Sequence, residues 1–360
     1  MRIQSFSVRP TNLDEMHLPY VTSSMVEAIV TCPRWGIVHS VLNKRFTTNY
    51  RQLALEAGSL MHEIFAVFNL HQIATEQKLV DHAVYHGEQL FPQGRFVAFE
   101  FKQYLNSDIP SQRQLEKLVY KVIGTSDYYD DPNDKNRTLA NLEHCGVQLA
   151  EYYLMNHSAF PIWISDENNP EKEIGIEKSV DVIFNVTFDN GYQKYLRFIG
   201  LLDVLYRRDN GPVKFGEYKT TSSMNDGWME QFRTRHQQTA YFGALHAYFD
   251  NVSEEIIMTG STIPVRKTTV SVQHFEIERN FDQVKEFLKT ALFAMDQIEQ
   301  FKSDPLATPM FTHSCNRYFR PCSLMDLCTA APEDQLILLD QMQVTTELSP
   351  SEMKAFFRQE

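Results

Sequence analysis

The sequence predicts a mixed α/β protein in which a central sheet is flanked by helices, and three observations predict it. Residues 173 to 220 hold three β-rich runs separated by Asp189-Asn190-Gly191 and Asp209-Asn210-Gly211, tight-turn patterns that join antiparallel neighbours. Two further strand-like runs, 255 to 262 and 268 to 278, follow a helical stretch at 226 to 250. Amphipathic helical patterns bracket these strands at 52 to 71 and 281 to 302, so the sheet has apolar helix faces to meet it.

Along the chain, MRIQSFSVRPTNLDEM lacks the apolar stretch of a secretory leader, and no window approaches the ~18 apolar residues of a membrane span. The chain is therefore expected to be intracellular and cytoplasmic. Residues 22 to 42 open with Ser24-x-x-Glu27, a capping-box pattern, followed by Met25, Ile29 and Val30 at helical spacing. Cys32-Pro33 should break this helix, because proline disfavours helix in the residue before it. A second helix restarts at Pro33 and carries Arg34 and Trp35. In the helix at 52 to 71, Leu60, Ile64, Val67 and Phe68 form the apolar stripe. His62 lies roughly 140° from the stripe centre at about 100° per residue, which leaves a solvent-exposed histidine or a functional one.

Residues 72 to 172 read as mostly helical and polar, interrupted by Asp130-Asp-Pro-Asn-Asp and Ser165-Asp-Glu-Asn-Asn-Pro. In the helix at 281 to 302, Phe281, Val284, Phe287, Leu288, Leu292, Met295 and Ile298 form the buried face. A peripheral helix is expected near Ser349-Pro350. The organisation expected is an N-terminal helical part (1–71), a helical insertion that covers a substrate groove (72–172), a β-rich core (173–280), a C-terminal helix with clustered cysteines (281–330) and a tail (331–360).

The formal charge of −12 argues against a protein that coats nucleic acid non-specifically, though a local basic groove is compatible with it. No G-x4-GK-[ST] phosphate loop occurs, which excludes a helicase motor within this chain.

Charged residues occupy positions that strand alternation makes apolar. Ile199, Leu201, Asp203 and Leu205 share one face of the second β run, and Val213, Phe215, Glu217 and Lys219 share one face of the third. A tight hairpin brings Asp203, Glu217 and Lys219 within reach of one another. Buried unpaired charge is costly, so the trio forms either a structural ion-pair network or a divalent-cation site in which two carboxylates bind Mg2+ or Mn2+. Glu177 alternates with Ser179 and Asp181 on the first strand and reads as a solvated face residue or a further candidate. Arg233, Gln237 and Tyr241 follow at helical spacing along one face.

Cysteines mark both ends. Cys32 stands alone, about 280 residues ahead of Cys315-x6-Cys322-x5-Cys328, while Cys145 looks like an ordinary thiol in a helix. In a reducing compartment, grouped thiols point to metal or cluster ligation, although chance grouping gives the same pattern. The wide gaps suit an iron–sulfur cube better than a zinc knuckle with ligands two to four apart. A structural zinc protein of unrelated activity remains the alternative, and colour separates the two.

Asp203-x13-Glu217-x-Lys219, Gln237-x3-Tyr241 and His62 in Gly58-Ser-Leu-Met-His62 together resemble the PD-(D/E)XK superfamily. Within it the pattern is similar to RecB-like nucleases carrying a [4Fe-4S] cluster, the group that includes the AddB nuclease domain, the CRISPR-associated single-strand exonucleases and phage relatives. The resemblance covers residues 24 to 70, 174 to 250 and 310 to 328, with six residues between the second and third cysteines where many members have two. It implies a restriction-endonuclease-like core with an iron–sulfur clasp joining the two ends of the chain. By that resemblance Cys32, Cys315, Cys322 and Cys328 hold the cluster. His62, Asp203, Glu217 and the Tyr218 carbonyl hold Mg2+ or Mn2+, and Lys219 orients the water that attacks a DNA phosphodiester in line. Gln237 and Tyr241 hold the strand, Tyr241 by stacking or a phosphate contact, and Arg34, Arg233, Arg235, Arg317 and Arg320 contact phosphates. The expected activity is a DNA exonuclease acting on single strands or free ends in repair, recombination or phage DNA processing, in a bacterial or phage-infected cell, alongside a helicase or recombinase. The alternative is a catalytically inert module that keeps this fold to bind DNA or protein.

Overall fold

The computed structural model describes residues 2–45, 53–91, 98–105, 110–126, 128–130, 138–156, 160–263, 270–317 and 320–344. The chain opens as β1 (Ile3–Pro10), whose Ile3, Phe6 and Val8 pack on the core. A two-residue strand, β2 (Tyr20–Val21), precedes α1 (Ser23–Thr31). The cap of α1 is Thr22, whose hydroxyl accepts the Met25 N–H at 3.2 Å. The box expected at Ser24 and Glu27 does not form, because Ser24 lies inside the first turn with its hydroxyl 2.9 Å from that of Thr22. The helix does end at Cys32, extended at φ −159° ahead of Pro33. It resumes as α2 (Pro33–Trp35), continues as a π-helical turn (Gly36–Val41) and reaches β3 (Lys44–Arg45).

Next come α3 (Leu53–Thr75), α4 (Val80–Leu90), α5 (Ala98–Leu105), α6 (Ser111–Gly124) and α7 (Leu139–Asn156). They share one apolar core through Ile64, Phe68, Leu115, Val119, Leu142 and Leu149. The β-rich region then forms the expected antiparallel meander of β4 (Ile176–Phe188), β5 (Gln193–Tyr206) and β6 (Lys214–Thr221). Gly191 at φ +79° supplies the left-handed residue that the first turn requires.

The helix expected over 226 to 250 is two pieces. α8 (Asp226–Glu230) passes through a 3-10 turn (Gln231–Arg233) before α9 (His236–Leu245) starts at Arg235, which is extended at ψ 138°. A long-range contact stabilises the break: the Arg279 guanidinium donates to the Phe232 carbonyl at 2.5 Å and to the Thr239 hydroxyl at 2.8 Å. It takes up a carbonyl that the helix has released.

The chain continues through β7 (Glu255–Thr262), β8 (Val272–Glu278) and α10 (Phe281–Phe301), the last opened by an Asn280/Gln283 capping box. It closes with β9 (Asn316–Arg317), β10 (Arg320–Pro321), α11 (Met325–Thr329), α12 (Pro332–Gln341) and β11 (Gln343–Val344). The helix expected near Ser349-Pro350 lies outside the described residues.

A mixed sheet of seven strands runs β1-β4-β5-β6-β7-β8, with β2 pairing to β5; β6/β7 and β2/β5 are parallel and the rest antiparallel. α1, α9 and α10 cover one face through Ile29, Phe242, Phe287 and Leu288, and α3 to α7 cover the other. Among the described residues, no helix is long and apolar enough to cross a membrane.

One opening in the sheet positions everything that follows. β6 pairs with β5 only from Val204↔Gly216 to Tyr206↔Lys214 and then pairs along β7, while β2 occupies the same edge of β5 at Arg197 and Phe198. Between them, residues 199 to 203 of β5 have no strand partner on that edge.

Candidate functional site

Three strands present a carboxylate at the same level of the sheet, at the mouth of that opening. Continuing the registers of the ladders places Glu177 of β4 opposite Asp203 of β5, and Asp203 opposite Glu217 of β6. Glu177 has a left-handed backbone at φ +48°, a costly conformation for a side chain with a Cβ and one that persists only where its surroundings impose it. Glu177 lies with His62 and Asp203, one donor atom of each lying within 4.8 Å of the others. His62 comes from α3, and its Nδ1 is 3.4 Å from Asp203 Oδ1. It is half-buried at this site, which corrects the solvent-exposed alternative.

The remaining contacts tie β6 to the same point. The Tyr218 N–H has no β5 carbonyl opposite it and donates instead to Asp203 Oδ2 at 2.7 Å. Lys219 Nζ donates to Glu217 Oε1. Glu217 Oε2 is buried without a hydrogen-bond partner. Asp203, Glu217 and Lys219 are therefore brought together, with His62 above them and Glu177 as a fourth member.

Electrostatics separate the two central carboxyls. Burial opposes ionisation of Asp203, but His62, Lys219 and the Tyr218 N–H hold it below the ordinary aspartate range. Burial, followed by the Asp203 charge, pushes Glu217 up to about 7 against the pull of Lys219. Burial also works against the charged forms of His62 and Lys219, yet the neighbouring carboxylates hold both above their usual values. Three carboxylates and an imidazole, with one buried carboxylate oxygen unsatisfied, are groups that could hold a divalent cation.

The neighbouring helix departs from expectation. Arg233 lies on the 3-10 turn, exposed and 3.2 Å from Glu230 Oε2, so it does not share a face with Gln237 and Tyr241. Tyr241 is buried with its ring against Gly200, where a Cβ would come within 2.3 Å of the ring. It cannot stack on a base, because Gly200, Phe198 and Phe215 already cover it. Its hydroxyl lies 3.4 Å from Gln237 Nε2. Arg235 packs over Phe232, donates to Gln231 Oε1 at 2.6 Å, and works against the charge of Lys219, so it lies on the lysine side of the site.

Arg34 also departs from its expected role. It is buried, and its guanidinium donates to the carbonyls of Thr308 (3.1 Å) and Leu306 (2.5 Å) and bonds the Cys328 thiol. It braces the C-terminal segment and is not placed to reach a DNA phosphate. Among the described residues no carboxylate pairs with it. The side chains of Arg317 and Arg320 lie outside the described part of the structure.

Around Arg34, the two ends of the chain meet. Ser314 Oγ donates to the Thr31 carbonyl at 2.7 Å, Trp35 Nε1 to Ser323 Oγ at 3.3 Å, and β11 pairs with β3. Val38, Leu324, Leu327, Leu339 and Met342 make a small core there, with Cys322 and Cys328 packed against it. The Cys322 N–H donates to the Cys315 carbonyl at 2.7 Å. Burial pushes the Cys322 thiol up, with Cys32 and Cys315 adding to the effect; burial likewise raises Cys328 against the pull of Arg34, with Cys322 and Cys32 adding. Cys32, Cys315, Cys322 and Cys328 thus share one neighbourhood. Among the described residues, no three of them gather within the 4.8 Å spread of a single-ion site. Cys145 is elsewhere, in α7, buried and pushed up to about 12.

Sequence reasoning underrated Glu177, because its grouping with Ser179 and Asp181 reads as a solvated polar face, and neither the register that sets it opposite Asp203 nor the kink at φ +48° leaves a mark in the residue types. It also passed over Gly200, three residues before Asp203, where the absence of a side chain admits Tyr241.

No protein-family model matches the chain, and no curated protein matches it. A solved structure described as the crystal structure of SSO0001 is similar at 13% identity and a TM-score of 0.25, over 44% of this chain and 59% of that one. The chain spans 59% of that structure's length, and a likeness of this size carries no argument.

Proposed function

We propose that the protein is a divalent-metal-dependent DNA nuclease of the PD-(D/E)XK type, acting on single strands or free ends, with a [4Fe-4S] cluster at the junction of its two chain ends. The row of Glu177, Asp203 and Glu217 across three strands, with His62 above it and Lys219 beside it, carries this reading. Glu177, His62, Asp203, Glu217 and the Tyr218 carbonyl are the proposed metal-binding set. When bound, Mg2+ or Mn2+ supplies charge stabilisation for an in-line displacement at phosphorus and activates the nucleophile. The chain's own groups do the rest. Lys219 Nζ, held by Glu217 Oε1, orients the attacking water and offers positive charge to the phosphoryl oxygens. Arg235 is the side chain beside Lys219 that is suited to a non-bridging phosphate oxygen. Gln237, at the start of α9, is left to contact the strand, whereas Tyr241 supports β5 from behind.

The donor chemistry near Arg34 favours the cluster. A buried guanidinium among carbonyls and a thiol lacks a compensating charge, and thiolates carrying iron would provide it. A cube also suits thiols that do not converge on one ion, because its ligands bind different irons. Cys32, Cys315, Cys322 and Cys328 would hold it, and its role would be to fasten the chain ends.

The test is degradation of end-labelled single-stranded and duplex DNA with Mg2+ or Mn2+. Asp203→Ala and Lys219→Ala should each lose on the order of 100-fold or more in rate, with the protein still folded by circular dichroism. Wild-type rates in both variants would overturn the assignment. Anaerobically purified protein should be brown, and a colourless protein containing zinc would remove the cluster from the reading.

A further inference from the structure

We propose that Tyr218 is a positioning residue through which the helical layer of α3 and α7 sets the geometry of the carboxylate centre. The inference rests on the metal reading of that centre.

Strand alternation sends the Glu217 and Lys219 side chains to the site and the Tyr218 side chain the other way, into the helical layer. The main chain of Tyr218 is part of the centre, because its N–H holds Asp203 Oδ2 at 2.7 Å in place of a ladder partner. Any shift of Tyr218 therefore moves Asp203, Glu217 and Lys219 together.

The side chain is held in two ways. Its ring stacks on Phe65 with centroids 4.1 Å apart and planes 1° from parallel. Its hydroxyl donates to Asn69 Oδ1 at 3.1 Å and lies 3.2 Å from the hydroxyl of Tyr206, which is on β5 three residues beyond Asp203. Asn69 Oδ1 also accepts from Tyr153 of α7 at 2.8 Å. Asn69 is fully buried, and its Nδ2 has no partner. A phenylalanine at 218 would fill the same space without the hydroxyl, so what the hydroxyl adds beyond packing is a hydrogen-bonded direction for the ring.

Packing alone does not fix the ring. A cavity of ≈ 20 Å³, bounded by Phe65, Tyr153, Tyr206, Tyr218, Thr259 and His274, lies against it, space for about one water. The hydroxyl tether keeps the ring from moving into that space.

One face of α3 makes the link mechanical. His62, Phe65 and Asn69 follow at spacings of three and four, and so line a single stripe. The helix that brings His62 to Asp203 also clamps Tyr218.

The experiment measures Mn2+ binding by calorimetry in wild type, Tyr218→Phe, Asn69→Leu and the double variant, alongside metal-dependent DNA cleavage. Tyr218→Phe should weaken Mn2+ about 10-fold, the low end for losing an outer partner of a metal ligand, and lower kcat while KM for DNA is unchanged. Asn69→Leu should do the same, and the double variant should be no worse than either single, because both cut one tether. Tyr218→Leu, which also loses the stack, should be weaker still, with Tyr218→Phe the partial rescue. Wild-type Mn2+ affinity in Tyr218→Phe, or additive losses in the double variant, would overturn the proposal. A wild-type protein that binds no Mn2+ would instead remove the metal reading on which it rests.

Discussion

The carboxylate centre and the junction of the chain ends both bury charged side chains, carboxylates with a histidine and a lysine in the first and a guanidinium among carbonyls and a thiol in the second. At the centre, three carboxylates crowd a half-buried imidazole and one lysine, leaving Glu217 Oε2 without a partner. At the junction, buried Arg34 meets two carbonyls and a thiol. On the proposed reading the first region would take a cation and the second an anionic cluster. Burial makes each of these charged groups costly without a partner, and the proposed ligands rest on that cost. The regions also differ in support: the centre hangs on strands of the main sheet, whereas the junction has two-residue strands and a small core.

The largest effect that would break this comparison is at the centre. Glu177→Gln should lower metal-dependent DNA cleavage by about 10- to 100-fold with little loss of folding stability, measured by single-turnover rates and thermal melts. An unchanged rate would return Glu177 to the solvated face.

At the junction, the proposed anionic cluster is testable through Arg34. If the proposed cluster is present, Arg34→Gln should lower the melting temperature of the iron-loaded protein by more than that of the iron-free protein, because the anionic cluster would be the partner of the guanidinium. Equal losses in the two forms would leave Arg34 a brace and nothing more.

Protons sharpen the centre further. Glu217 is raised from an ordinary 4.5 to about 7, so the folded metal-free protein holds a proton that the unfolded chain gives up. Its contribution, on the order of 3 kcal/mol, is present below about 4.5 and lost as pH rises through about 7. His62, raised above its ordinary 6.5, must also shed a proton to bind metal. Mn2+ affinity should therefore climb between pH 6 and 8, while melting in chelator should drift downward over the same range. Glu217→Gln should flatten that drift.

The smallest effect expected concerns packing. Gly200→Ala places a methyl 2.3 Å from the Tyr241 ring and should cost about 1–3 kcal/mol in chemical denaturation, since the ring is buried on three sides. A neutral result would mean that Tyr241 has room to move and that its exclusion from base stacking needs revision.

Much of this was legible in residue order. Asn190-Gly191 and Asn210-Gly211 marked the meander, proline marked the break at Cys32, and alternation brought Asp203, Glu217 and Lys219 to one place. Each rests on a local rule in which neighbouring residues decide the backbone. The failures share a different origin. The cap moved from Ser24 to Thr22, the helix at 226 split where Arg279 takes the Phe232 carbonyl, and Arg34 turned inward to carbonyls some 270 positions away.

By itself, then, the sequence determined the mixed α/β class, the meander and the charged residues that strand alternation makes conspicuous, because strand period, turn chemistry and proline act within a few residues. Only the tertiary structure decided that Glu177 belongs to the centre, that Tyr241 is support and that Arg34 faces thiols. Those outcomes depend on which surfaces meet after folding and on how burial prices a charge or a hydroxyl once water is gone, and no window of sequence contains that information.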